Sequence, residues 1–127
     1  MSLETRVSIA EAEQLVKEAF LRNGVREAVA QSVSNALVAA EAEGQVGHGF
    51  SRVKDYLAQV KSKKINVDAK IKIKHPKPTS ISIDADYGFA YPALDQAISE
   101  GALTAKEYGS AIVSVSYTHL RAHETCV

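Results

Sequence analysis

The chain has 127 residues, and its 15 basic and 15 acidic side chains balance, so bulk charge argues for neither a nucleic acid nor a membrane surface. One cysteine, Cys126, is too few for a disulfide framework or a zinc site of its own, and 46% apolar residues is an ordinary globular composition with room for one modest core. No apolar run approaches the roughly 20 residues of a membrane helix. The opening Met1-Ser2-Leu3-Glu4-Thr5-Arg6 lacks the basic-then-apolar order of a signal peptide, so the cytoplasm is the expected location.

Ser8-Ile9-Ala10-Glu11 fits a capping box, in which the serine hydroxyl accepts from the third helical amide and the glutamate reaches back. Ile9, Ala12, Leu15, Val16, Ala19 and Phe20 follow at helical spacing, and Asn23-Gly24 suits a left-handed stop. A second helix is expected from about Arg26 to Glu43, with Val29, Val33, Leu37 and Ala40 as its stripe and Gly44 as its end. The short loop at Gly24 favours an antiparallel helix pair.

Gly47-His48-Gly49-Phe50-Ser51-Arg52 stands between that helix and a third, whose buried side is expected at Phe50, Val53, Leu57 and Val60. Tyr56 lies next to that side and could point either way. The glycines on each side of His48 free the backbone for a tight turn. Arg52 is four residues on, one helical turn away. Imidazole passes protons near neutral pH, and guanidinium grips a carboxylate with two parallel hydrogen bonds. Together they suit an enzyme that handles a small oxo or hydroxy acid. A turn histidine beside a surface arginine is the plainer alternative, and spacing alone leaves both open.

Eight lysines between Lys54 and Lys77 oppose only Asp55 and Asp68. Within that segment Ala69 to Lys74 alternates apolar with charged, the pattern of a half-buried strand, and outward lysines discourage edge pairing. A small α/β module binding an acidic partner or RNA through this strand is the competing functional reading. No aromatic side chain is interleaved to stack bases, which favours a solvated face. His75-Pro76-Lys77-Pro78 is expected to break the strand. Ser80 to Asp84 alternates again as its partner, and Asp84-Ala85-Asp86-Tyr87-Gly88 reads as a turn with a helix cap rather than a metal site. A fourth helix from about Tyr91 to Tyr108 is expected to bury Leu94, Ala97, Ile98 and Leu103, with Gly109 closing it. Ala111 to Val115 reads as a buried strand. The order of elements predicts a mixed α/β fold: helices first, then a small sheet with a packed helix.

Beyond Val115 neither period persists. Residues 116–127 resemble the conceptual translation of a transposon-type sequencing adapter, so the fold is expected to occupy residues 1–115 and the tail to be non-native. His119, His123 and Cys126 are therefore not taken as metal ligands, and no metal site is expected.

Residues 7–115 resemble the second-type malate/L-lactate dehydrogenases, the non-Rossmann group that includes ureidoglycolate, diketogulonate and sulfolactate dehydrogenases. The resemblance rests on Glu41-Ala42-Glu43-Gly44, on Gly47 to Val53 with Tyr56-Leu57, on Gly88 to Leu94, and on the strand Ala111 to Val115. It implies an NAD- or NADP-dependent oxidoreductase moving a hydride between nicotinamide and a small 2-hydroxy or 2-oxo acid. His48 matches the family's proton-transferring histidine, and Arg52 matches the arginine that holds the substrate carboxylate. Gly47 stands where the family usually has serine. The family's second histidine block and most of its cofactor-binding portion follow the strand matching Ala111 to Val115. This chain is thus expected to be an inactive amino-terminal fragment of a homodimeric enzyme that needs neither nucleic acid nor membrane.

Overall fold

In the computed structural model, which describes residues 4–119, the first helix, α1, runs Ile9–Leu21. Ser8 starts it as expected: its hydroxyl accepts from the Glu11 amide at 3.1 Å, and the Glu11 carboxylate accepts from the Ser8 amide at 2.8 Å. Those bonds, from the amide first and the hydroxyl second, hold the Glu11 carboxyl below its ordinary value. Gly24 turns the chain at φ +84°, and α2 follows over Glu27–Ala42. The two helices pack against each other. Their contact buries Ala12, Val16 and Phe20 of the first and Ala30, Val33, Ser34, Leu37 and Val38 of the second. Ser34, the one buried polar residue among those described, donates its hydroxyl to the Glu13 carbonyl across the pair. Ile9 and Leu15, expected in the stripe, stay outside. The contact follows the Ala12–Val16–Phe20 line, and the two larger residues lie off it.

The chain divides into two compact units, the first ending at Ala58 and the second beginning at Gln59. α2, a short 3-10 turn over Val46–His48 and the start of α3 (Ser51–Lys61) follow one another within the first. On α3 it is Tyr56 that is buried, while Val53, Leu57 and Val60 are half-buried and Phe50 is exposed.

In the second unit β1 (Lys72–Lys77) pairs antiparallel with β2 (Ser80–Asp84), which pairs parallel with β3 (Ile112–Ser116) through the crossover helix α4 (Ala90–Tyr108). This is the mixed α/β arrangement that the order of elements predicts. Three details correct the sequence reading. The first is that β1 continues through Pro76 instead of breaking there. It is an edge strand, and its register shifts between Lys74 and Lys77, so the missing amide costs no ladder bond. The second is that α4 buries Ala90, Ala93 and Ala97, while Leu94, Ile98 and Leu103 are exposed. Small residues let the helix lie close on Ile81 and Ile83; at Gly101 an added β-carbon would stand 3.1 Å from Val113. The third is that β3 is an edge strand rather than a buried one, and Ile112 is exposed.

β3 ends at Ser116, one residue past the expected boundary. Beyond it the Tyr87 amide donates to the Tyr117 carbonyl at 2.7 Å, and the Ala90 amide donates to Nδ1 of His119 at 2.9 Å. His123 and Cys126 lie outside the described residues.

Candidate functional site

His48 closes the Val46–His48 turn, and its side chain is exposed. Gly49 follows as the cap of that turn, and α3 starts two residues later. The glycine is required by space. A β-carbon there would stand 2.9 Å from Cβ, 2.9 Å from Oε2 and 3.0 Å from Cα of Glu41, in the last turn of α2. The His48 loop therefore rests directly on the end of α2.

Two side chains from the first turn of α3 reach back to the same loop. The Ser51 hydroxyl donates to the Val46 carbonyl at 2.8 Å, and Nε of Arg52 donates to the Gly47 carbonyl at 2.8 Å. His48 thus lies in the 3-10 turn and Arg52 in the first turn of α3, so the two are not on one helix; what joins them is the bond from Arg52 to the carbonyl of Gly47. Arg52 forms no ion pair with any acid among the described residues. Using Nε for the loop leaves the terminal nitrogens of the guanidinium for a carboxylate.

A hollow of about 320 Å³ in the same unit is lined by Val7, Ala12, Leu15, Val16, Ala19, Phe50 and Val53. Neither His48 nor Arg52 lines it. None of its side chains can donate a hydrogen bond to a pyrophosphate, and no glycine-rich strand-to-helix turn is present among the described residues. These residues do not form a dinucleotide site.

The lysines of β1 are exposed on the outer edge of the sheet, and no helix among the described residues is long and apolar enough to cross a membrane. Asp86 accepts from the Lys70 amide at 3.1 Å and from the Asn66 side chain, while Asp84 accepts from the Asp86 amide at 2.8 Å. These carboxylates hold a turn in which Asp86 and Tyr87 both take positive φ. They do not cap α4, whose N-cap is Phe89 with no side-chain bond. No group of three potential ligands for a metal ion exists among the described residues.

Glu41 and Ser51 both lie in stretches singled out in the sequence, but their contacts with the 46–49 loop appear only in the structure.

Residues 7–122 match the family model described as malate/L-lactate dehydrogenase. Among curated proteins the chain is 34% identical over 113 residues to the (2R)-3-sulfolactate dehydrogenase (NADP(+)) of Chromohalobacter salexigens, covering 89% of this chain and 34% of that protein. It is 30% identical to the Delta(1)-pyrroline-2-carboxylate reductase of Ancylobacter novellus, covering 91% and 34%. Among solved structures it is similar to the delta1-piperideine-2-carboxylate reductase of Pseudomonas syringae pvar. tomato, with a TM-score of 0.84 at 27% identity over 88% of this chain and 34% of that one. The malate dehydrogenase of Pyrococcus horikoshii OT3 gives the same TM-score at 26% identity, over 90% and 33%. The chain thus spans about a third of the length of these relatives.

Proposed function

Because the chain belongs to the malate/L-lactate dehydrogenase family, we propose that it is part of an NAD- or NADP-dependent oxidoreductase acting on a small 2-oxo or 2-hydroxy acid. His48 gives a proton to the oxygen that becomes the hydroxyl, and takes it back in the oxidative direction. Arg52 holds the neighbouring carboxylate through its terminal nitrogens. A nicotinamide cofactor, when bound, would be the source or acceptor of the hydride. The relatives' substrates by name include sulfolactate and pyrroline-2-carboxylate. What these share with the proposed substrate is a carboxylate beside the reacting carbon, and that is the group an arginine anchored near a proton donor would address.

One observation carries this reading: Nε of Arg52 is bonded to the carbonyl of Gly47, the residue before His48, and no acid among the described residues pairs with the guanidinium. Residues 116–127 stay outside the proposed machinery on the strength of their adapter-like sequence, and His119 is given no role. A cytoplasmic homodimer belongs to the same proposal, and sedimentation of the full-length enzyme would test the dimer.

The catalytic test uses a full-length family member that carries this block. His48→Ala lowers turnover by roughly two to four orders of magnitude, the usual worth of a positioned acid-base group. Arg52→Lys raises KM, because a point charge replaces a two-pronged grip, and it also lowers kcat because the bond to Gly47 is lost. Unchanged turnover in the first variant removes His48 from the chemistry. An unchanged KM in the second places the carboxylate elsewhere.

A further inference from the structure

The loop that carries His48 is tied at three points, and only one of them uses a residue already given a role. Ser51 bonds the Val46 carbonyl, Arg52 bonds the Gly47 carbonyl, and the Gly49 backbone lies on Glu41. Internally the loop has little of its own. The His48 amide donates to the Gln45 carbonyl at 2.9 Å, and the Gly49 amide reaches the Val46 carbonyl only at 3.4 Å. A 3-10 turn this short holds its shape weakly, and glycine on both sides of the histidine adds freedom. The position of the imidazole is therefore decided by what surrounds the turn.

Glu41 is the most informative of these contacts. Its Oε2 is fully enclosed and has no hydrogen-bond partner among the described residues. An enclosed acceptor left unpaired is unfavourable, so packing alone would select an apolar side chain here. The carboxylate instead lies against Gly49, two residues before the first residue of α3. Glu41 thus fills the space under the loop.

We infer that Glu41 and Ser51 are positioning residues for His48: one supports its loop from α2, the other ties it to α3, and neither touches substrate. This rests on the assignment of His48 as the proton-transferring group. It extends that assignment by naming what holds the imidazole in place against a carboxylate gripped by Arg52. Glu41→Ala removes the carboxylate from beneath Gly49 and lets the loop sink. Ser51→Ala frees the Val46 carbonyl. Misplacing a catalytic group by about 1 Å can cost on the order of 100-fold in rate.

The test uses a full-length family member carrying Glu41 and residues 47–52 of this chain, assayed with a 2-oxo acid under steady-state conditions. Glu41→Ala lowers kcat by about 10- to 100-fold and Ser51→Ala by about 3- to 10-fold, each with KM changed by less than about 3-fold. Glu41→Gln keeps the volume and Ser51→Thr keeps the hydroxyl, so each returns kcat to within about 3-fold of the parent. Losses of kcat that follow the fall in thermal midpoint and are not rescued by Gln or Thr overturn the inference, as do unchanged kcat values in both alanine variants. His48→Ala in the same background separates the two levels. If His48→Ala lowers turnover by about two orders of magnitude or more while Glu41→Ala and Ser51→Ala leave kcat unchanged, only the positioning roles fail. If His48→Ala retains turnover, the reaction assignment fails and this inference with it.

Discussion

The two units bury their apolar surface in opposite ways. In the first, two helices meet through large side chains, and Phe20, Leu37, Val33 and Val38 are almost wholly enclosed. In the second, a helix meets a sheet through alanines, and the bulk comes from Ile81 and Ile83 on the strand side. Two helices touch along ridges, so large residues interlock and fill the grooves between them. A sheet offers a broad face already covered by β-branched side chains, so the helix lies closest where its own side chains are small. The same apolar period therefore means different things in the two places. On α1 and α2 it marks much of the core. On α4 it includes Leu94, Ile98 and Leu103, which face away from the sheet.

Mutations can break this contrast. The largest effect is expected from Phe20→Ala, which empties the centre of the helix pair and costs about 3–5 kcal/mol by denaturant unfolding of the 127-residue chain. A value below about 1 kcal/mol would mean that the helix pair does not depend on interlocked bulk. Next comes Ala93→Leu on the closed face of α4, expected to cost about 1–3 kcal/mol through overpacking. Its partner in the comparison, Ile98→Lys on the open face, should change stability by no more than about 0.5 kcal/mol. Equal effects at the two positions would show that α4 is not seated on its alanines.

A smaller and pH-dependent effect belongs to the start of α1. The Glu11 carboxyl is held below its ordinary value in the folded chain, first by the Ser8 amide and then by the Ser8 hydroxyl. Its contribution is therefore fully present above the unfolded carboxylate range and is lost as pH falls through the lowered folded value. Ser8→Ala removes the hydroxyl. The variant should lose stability near neutral pH and lose less than the parent on acidification, read as unfolding midpoints across the acid range. Parallel pH curves for parent and variant would show that the capping pair is not coupled.

Local signals were the most legible in the sequence. The capping box at Ser8 and Glu11, the glycine stops at Gly24 and Gly109, the pairing of β1 with β2 and the helix between β2 and β3 all follow from short-range rules. What escaped the reading was non-local. Pro76 inside a strand is tolerated because β1 has a free side, and that depends on the order of strands in the sheet. Tyr56, not the expected Phe50, is the enclosed residue of α3.

The amino-acid order by itself determined where most helices start and stop and which segments are extended. Backbone propensity, capping and side-chain period act over a few residues and are written in consecutive letters. Tertiary structure alone decided that Ala93, and not Leu94, faces the sheet, and that Glu41 lies under Gly49. Those outcomes depend on the shape of the opposing surface, and that surface is made of residues far away in the chain.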